Sequence, residues 1–242
     1  MITAASLRGT ARRLGNARRG FAFVEIEHDR CAPAAVGRYQ SRVAAHAASR
    51  KAVDAGYLGS FGVAVGRTSS VYHLSTVADY DARDAREALE ALRPSPEGLA
   101  STETSVFAEA TGTLEGVGIE GLLGGGGLLG ATESTVFEMR TYELVLGYAT
   151  VPKFLELYSG GLANKMRVDD TKESRLLSLL HSEAGTAPLN TVIELWRHES
   201  AQGSQRSRAK SREATEWRAA IGAIAEISTR FETQLLRPLC LP

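Results

Sequence analysis

The sequence predicts an α+β protein built from two similar halves, each with the element order β-α-β-β-α-β, whose sheets pack against one another. Three observations carry this. Val136–Leu144 and Leu189–Glu199 both alternate with period two, the signature of strands with two chemically different faces. The order of strand-like and helix-like segments over residues 22–110 recurs over residues 135–240. Between the two runs lies a stretch, 111–133, with nine glycines and no aromatic residue, which reads as a linker.

In the first half, Ala22–His28 is a short strand, and Pro33 suits the first turn of a helix running to about Val53, with Gly56 as its stop. Tyr57–Val65 and Ser70–Val77 are rich in β-branched and aromatic residues and flank the loop Gly66-Arg-Thr-Ser69, a hairpin. Asp79 or Asp81 can cap a helix running to Leu92, which Pro94 and Pro96 end. Thr102–Ala108 is the fourth strand. In the second half the strand Val136–Leu144 precedes a helix from Val151 to about Met166. Arg175–Glu183 and Thr191–His198 form a hairpin around Gly185-Thr-Ala-Pro188. One long polar helix is expected over Ala201–Ala225, and Phe231–Leu236 is the last strand. The halves also match in detail: Val24-Glu-Ile26 corresponds to Phe137-Glu-Met139, and Val71-Tyr-His-Leu74 to Val192-Ile-Glu-Leu195.

A β-α-β-β-α-β sheet covers only one face with helices, so its other face needs a second sheet. Two tethered halves can supply this to each other within one chain, and pairing between two chains is the alternative. On the strands the apolar set Phe137, Met139, Thr141, Ile193 and Leu195 is expected to take the helices. Glu138, Arg140, Tyr142, Glu194, Trp196 and His198 are then expected to point into the barrel, with Glu25, Glu27 and His73 as first-half counterparts. An arginine among carboxylates forms charge-assisted pairs, and a nearby histidine can move protons near neutral pH. Such a face is either a ligand pocket or a lining of mutually satisfied polar groups. The halves differ here: Ser75 stands at the position of Trp196, and Glu27 and Asp29 at those of Arg140 and Tyr142.

Phe137-Glu-Met-Arg-Thr-Tyr142, Val151-Pro-Lys-Phe-Leu-Glu-Leu-Tyr158, Val192-Ile-Glu-Leu-Trp-Arg-His-Glu-Ser200 and Leu235-Leu-Arg-Pro-Leu239 resemble the NIPSNAP family over residues 135–239. The first half is similar to the same family, mainly through Ser70-Val-Tyr-His-Leu74 and Arg83. The resemblance implies tandem ferredoxin-like units, 21–110 and 134–242, that pair as a dimeric α/β barrel. It also implies a mitochondrial protein of the matrix, without an established catalytic activity. Such a protein would act through protein partners in organelle quality control or in membrane and vesicle traffic. Homo-oligomerisation and peripheral membrane association stay open. The competing class is a small-molecule binder, or an enzyme similar to cofactor-free monooxygenases with related barrels.

Composition bounds these readings. The 242 residues carry 28 basic and 28 acidic side chains, which gives no reason to expect a nucleic-acid partner. Residues 1–20 hold five arginines and no acid, with Leu7, Ala11 and Leu14 on one helical face, the pattern of a mitochondrial transit peptide. Removing those five arginines from 28 leaves 23 basic residues, so the remaining chain is acidic by five charges. Two cysteines, Cys31 and Cys240, cannot build a metal cluster. His28, His46 and His181 have no partner at ligand spacing, so no metal or cofactor is expected, and no catalytic residue is assigned. Gly116-Val-Gly-Ile-Glu-Gly121 matches the dinucleotide pattern literally, but the Leu-Leu-Gly-Gly-Gly-Gly that follows is a poor helix and no βαβ unit surrounds it. Arg206-Ser-Arg-Ala-Lys-Ser-Arg212 reads as the solvated face of a helix.

Overall fold

The computed structural model describes residues 22–84, 97–124, 128 and 130–241. The Arg-rich start and most of the helix expected before Pro94 lie outside the described residues. The strands among the described residues are β1 Phe23–Cys31, β2 Tyr57–Val65, β3 Ser70–Val77, β4 Leu99–Glu109, β5 Val136–Leu144, β6 Ser174–Gly185, β7 Thr191–His198 and β8 Ser228–Cys240. They close into one antiparallel barrel in the order β1-β3-β2-β8-β5-β7-β6-β4, with β4 returning to β1. Both seams between the halves form within the single chain. Val63 faces Leu236 across β2–β8, and Ala108 faces His181 across β4–β6. At the second seam Gly185 has φ +111°, and a Cβ there would lie 2.3 Å from the Thr104 carbonyl oxygen. Only glycine lets the strands approach this closely.

The helices among the described residues are α1 Val36–Val53, α2 Tyr80–Asp84, α3 Thr111–Glu115, α4 Thr150–Val168, α5 Ala201–Ser211 and α6 Thr215–Glu226. The single polar helix expected over Ala201–Ala225 is thus two. Ser200 caps α5 by accepting from the Gly203 N–H at 3.0 Å. Ala214 is extended and fully buried, which breaks the run. The break lets α6 turn Trp217, Ala220 and Ile224 inward, onto α4, while α5 remains largely polar.

The barrel interior is apolar. Val24, Ile26, Phe61, Val63, Tyr72, Leu74, Phe107, Phe137, Met139, Leu177, Leu180, Ile193, Leu195 and Leu236 form one buried cluster drawn from all eight strands. This reverses the expected facing. Phe137, Met139, Ile193 and Leu195 point inward, and the charged set lies between sheet and helices. Tyr142 and Trp196 pack with Phe154, Tyr158 and Leu162 of α4 and Trp217 of α6. A second outer cluster, Cys31, Tyr39, Val43 and Val71, sits under α1. Buried charge needs partners, and the covering helices supply them. A narrow lumen lined by apolar side chains from every strand cannot. Period two separates the faces of a strand but does not say which one looks inward.

The stretch after β4 is packed rather than free. Leu122 and Leu128 enter the barrel cluster. They lie where β4 ends and β5 begins, so they stopper that end of the barrel. The Glu109 carboxylate accepts from the Leu122 N–H (2.7 Å), the Leu123 N–H (3.1 Å) and the Ser178 hydroxyl (2.5 Å). Gly121 has φ +73°, and a Cβ there would fall 2.6 Å from that carboxylate. The glycine pattern therefore holds an anion, and that anion is the chain's own Glu109.

Candidate functional site in the barrel lumen

The sequence-predicted residues of the second half do converge. Glu138 accepts from Arg140 Nε (2.7 Å), His198 Nε2 (3.0 Å), Arg208 (2.5 Å) and Thr233 (2.9 Å). Burial alone would raise its pKa, but His198, Arg140 and Arg208 together hold it far below the carboxylate range. Glu194 accepts from the Tyr142 hydroxyl (2.6 Å), the Trp196 indole (2.7 Å) and Arg140 (3.4 Å). Burial lowers Arg140, yet Glu194 and Glu138 overcome it and push the guanidinium up. Lys165 of α4 places Nζ 3.4 Å from the centre of the Trp196 ring, and Arg140 lies over the same ring at 5.7 Å. Burial and the Arg140 charge bring Lys165 down to about 7. Each carboxylate and indole here is engaged by a neighbour. The arrangement joins the sheet to the helices through mutually engaged charges and hydrogen bonds.

Space exists on the other side of the sheet. At the end opposite the Leu122–Leu128 stopper the lumen opens into a cavity of about 350 Å³, a usual size for a small-molecule site. Ile26, Phe107, Met139 and Ile193 form its apolar floor, and Tyr72, His28 and Gln234 stand above it. His28 stacks on Tyr72, ring centres 4.4 Å apart, and its Nε2 is 2.9 Å from the Ser70 hydroxyl. Burial and then Arg30 lower its pKa to about 4, so it is neutral at pH 7. Gln234 donates through Nε2 to the Tyr72 oxygen at 2.9 Å, while its Oε1 is buried with no donor among the described residues. Around the mouth the charges pair off. Arg30 meets Glu103 at 3.0 Å, Arg67 meets Glu232 at 2.6 Å, and Arg230 bridges Glu232 and Glu143.

A family model described as NIPSNAP matches residues 137–241. That segment, somewhat less than half of the chain, is NIPSNAP-like. An uncharacterized NIPSNAP domain protein from Burkholderia xenovorans is 27% identical over 43% of this chain and 93% of its own, with a TM-score of 0.36. Two barrels match nearly the whole chain. A putative monooxygenase from Fusobacterium nucleatum is 11% identical, covers 93% of this chain and 95% of its own, and has a TM-score of 0.61. An anthrone oxidase-like protein is 13% identical, covers 90% and 91%, and has a TM-score of 0.64. At these identities the likeness is one of fold. No curated protein matches.

The NIPSNAP-like segment holds the charged network between sheet and helices, while the cavity draws its polar groups from both halves. In the first half, His73 also lies outside the lumen. Its Nε2 is 3.1 Å from Asp29 and its Nδ1 2.5 Å from the Ser60 hydroxyl. Burial would raise Asp29, but His73, Thr102 and Tyr39 hold it at about 2. Glu27, Asp29 and His73 bring ligand atoms within 4.8 Å of one another. Both Asp29 oxygens and both His73 nitrogens are already occupied by hydrogen-bond partners, so the trio works as a buried polar joint. The cavity residues that sequence reading missed are Tyr72, Gln234 and His28. His28 was open to discovery, because it shares parity with Ile26 once the apolar face is placed inward.

Proposed function

We propose that this protein binds a small, mainly apolar molecule in the open end of its barrel. The observation that carries the reading is the cavity of about 350 Å³, apolar below and polar at its mouth. It favours ligand binding over a filled barrel, the point on which the two function classes part. Fold-level likeness to a putative monooxygenase and to an anthrone oxidase-like protein supports a small organic ligand, and oxygenation of that ligand is the reaction to assay first. The test is a neutral fragment screen read by thermal shift on wild type and on Ile193→Trp, which fills the floor. Hits that stabilise wild type and not the variant are expected. Equal responses in both would place any binding elsewhere.

We read the architecture as two tandem ferredoxin-like units. The strand orders β4-β1-β3-β2 and β8-β5-β7-β6, joined edge to edge, support this.

A second reading is the protein-interaction role in mitochondria that the family resemblance implies. An exposed apolar group favours it: Val145, Leu146 and Tyr148 after β5, Leu189 before β7 and Phe231 on β8. Asn190 ties the loops together by donating to the carbonyls of Val145 and Gly147. Mitochondrial entry follows from the Arg-rich start. Capture of a mitochondrial protein by wild type and not by Leu146→Asp/Tyr148→Asp would support the role, as would import of a reporter fused to residues 1–30.

A further inference from the structure

We infer that the rim of the cavity mouth docks on a lipid bilayer, so that the apolar ligand passes between membrane and barrel without crossing water. The inference rests on the proposed binding site and adds the surface from which that site is filled. Eight large hydrophobic side chains are exposed among the described residues, and six of them, Val65, Val145, Leu146, Tyr148, Leu189 and Phe231, stand at the mouth end. Their chain neighbours Arg67, Glu143, Pro188, Arg230 and Glu232 line the cavity. The Val145 N–H donates to the Ile227 carbonyl, and Asn190 donates to the carbonyls of Val145 and Gly147. The loops after β5 and before β7 are thereby held together as one ledge beside β8. The other two exposed groups are Tyr80, whose ring sits 5.2 Å from that of Phe23 at the start of β1, and Met166 near the end of α4. Apolar side chains gathered at one end form a patch, unlike the single scattered ones that most protein surfaces carry.

Shape and charge both favour a bilayer as the occupant. Tyr148 is fully exposed and Leu146 is 80% exposed. Side chains that project in this way suit a yielding apolar phase, which needs no matching pocket. Aliphatic groups with a tyrosine among them settle where headgroups meet acyl chains. Around the same mouth, basic and acidic groups come in pairs, Arg30 with Glu103, Arg67 with Glu232 and Arg230 with Glu143. Zwitterionic headgroups carry the same two signs side by side and meet this rim without leaving a charge alone. A strongly basic or acidic partner finds no free counter-charge among these pairs. A protein seated on the rim, or a second copy of this chain, would also cover the mouth and shut the cavity. A fluid bilayer instead supplies an apolar molecule of the kind that Ile26, Phe107, Met139 and Ile193 accept.

The test is flotation of the full-length protein with vesicles of phosphatidylcholine alone, and of phosphatidylcholine mixed with phosphatidylserine, at low and high salt. Wild type is expected to float with both and to keep floating at high salt. Leu146→Ser/Leu189→Ser should lower the partition into vesicles about tenfold or more, because binding strength scales with the apolar area inserted. Both leucines are exposed, and circular dichroism checks that the fold is kept. In Tyr148→Trp the added indole should be quenched by lipids brominated in their acyl chains, against a steady background from the buried Trp196 and Trp217. Binding that needs phosphatidylserine and disappears in salt overturns the inference, because the Arg-rich start then holds the membrane. So does flotation untouched by the double substitution, or an added indole that stays unquenched. Rim-dependent capture of a protein, or a rim-dependent dimer in light scattering, without flotation gives the patch to a protein and also overturns it. If fragments bind the cavity but nothing floats, the docking inference alone fails. Rim-dependent flotation with an empty fragment screen supports docking and defeats the ligand reading.

Discussion

Trp196 is fully enclosed, with Glu194 on its indole N–H and Lys165 on its face. Trp196→Ala should cost about 3–5 kcal/mol, the range for emptying an aromatic core site, and urea unfolding beside wild type measures it. Lys165 makes a distinct prediction. Burial and Arg140 lower its pKa from 10.5 to about 7, with the Trp196 face acting against them through cation–π attraction worth roughly 2 kcal/mol when desolvated. Between those two values the unfolded chain holds a proton that the folded chain releases. Stability contributed by this group is therefore present above pH 10.5 and is lost as pH falls to 7. Lys165→Met should be more stable than wild type at pH 7. It should also flatten the rise in stability between pH 7 and 9, as read from thermal melts. These partners were partly legible in the sequence. Period two grouped Glu138, Arg140, Tyr142, Glu194, Trp196 and His198 correctly, but Lys165 and Arg208 come from helices whose docking no local pattern specifies.

At the scale of elements the glycine-rich segment shows most clearly where pattern reading stops. Its composition predicts a free linker, yet Leu122 and Leu128 sit in the barrel core and Glu109 grips the backbone beside Gly121. Glu109→Ala would leave the N–H groups of Leu122 and Leu123 and the Ser178 hydroxyl without their acceptor. A loss of about 1–3 kcal/mol is expected from such buried vacancies. Faster amide exchange at Leu122 and Leu123 should accompany it, and unchanged exchange there would count against the clamp. The helix over Ala201–Ala225 failed as a single element for a related reason. Ser200 is a visible start, but the turn at Ala214 follows from α6 docking on α4, a contact made fifty residues away in sequence. Strand positions were more secure. β2, β3, β5 and β7 begin and end close to where their β-branched and aromatic runs do, because those runs carry both propensity and alternation.

For the molecule as a whole, closure depends on the two seams β2–β8 and β4–β6. Residues 134–242 produced alone would expose the edges of β6 and β8. That fragment is expected to self-associate, and light scattering after gel filtration would show a dimer or larger species. A well-behaved monomer would count against the seams as the source of closure. The sequence by itself determined the α+β class, the repeated element order, the family resemblance later matched over residues 137–241, and the two chemically distinct faces of each strand. It could do so because propensity, alternation and turn chemistry act over a few neighbouring residues. Only the tertiary structure decided which face looks inward, where the charged set finds its partners, and that a cavity lined by His28, Tyr72 and Gln234 remains open. Those outcomes depend on eight strands closing on one another, and the width of that barrel is set by pairings between residues far apart in the chain.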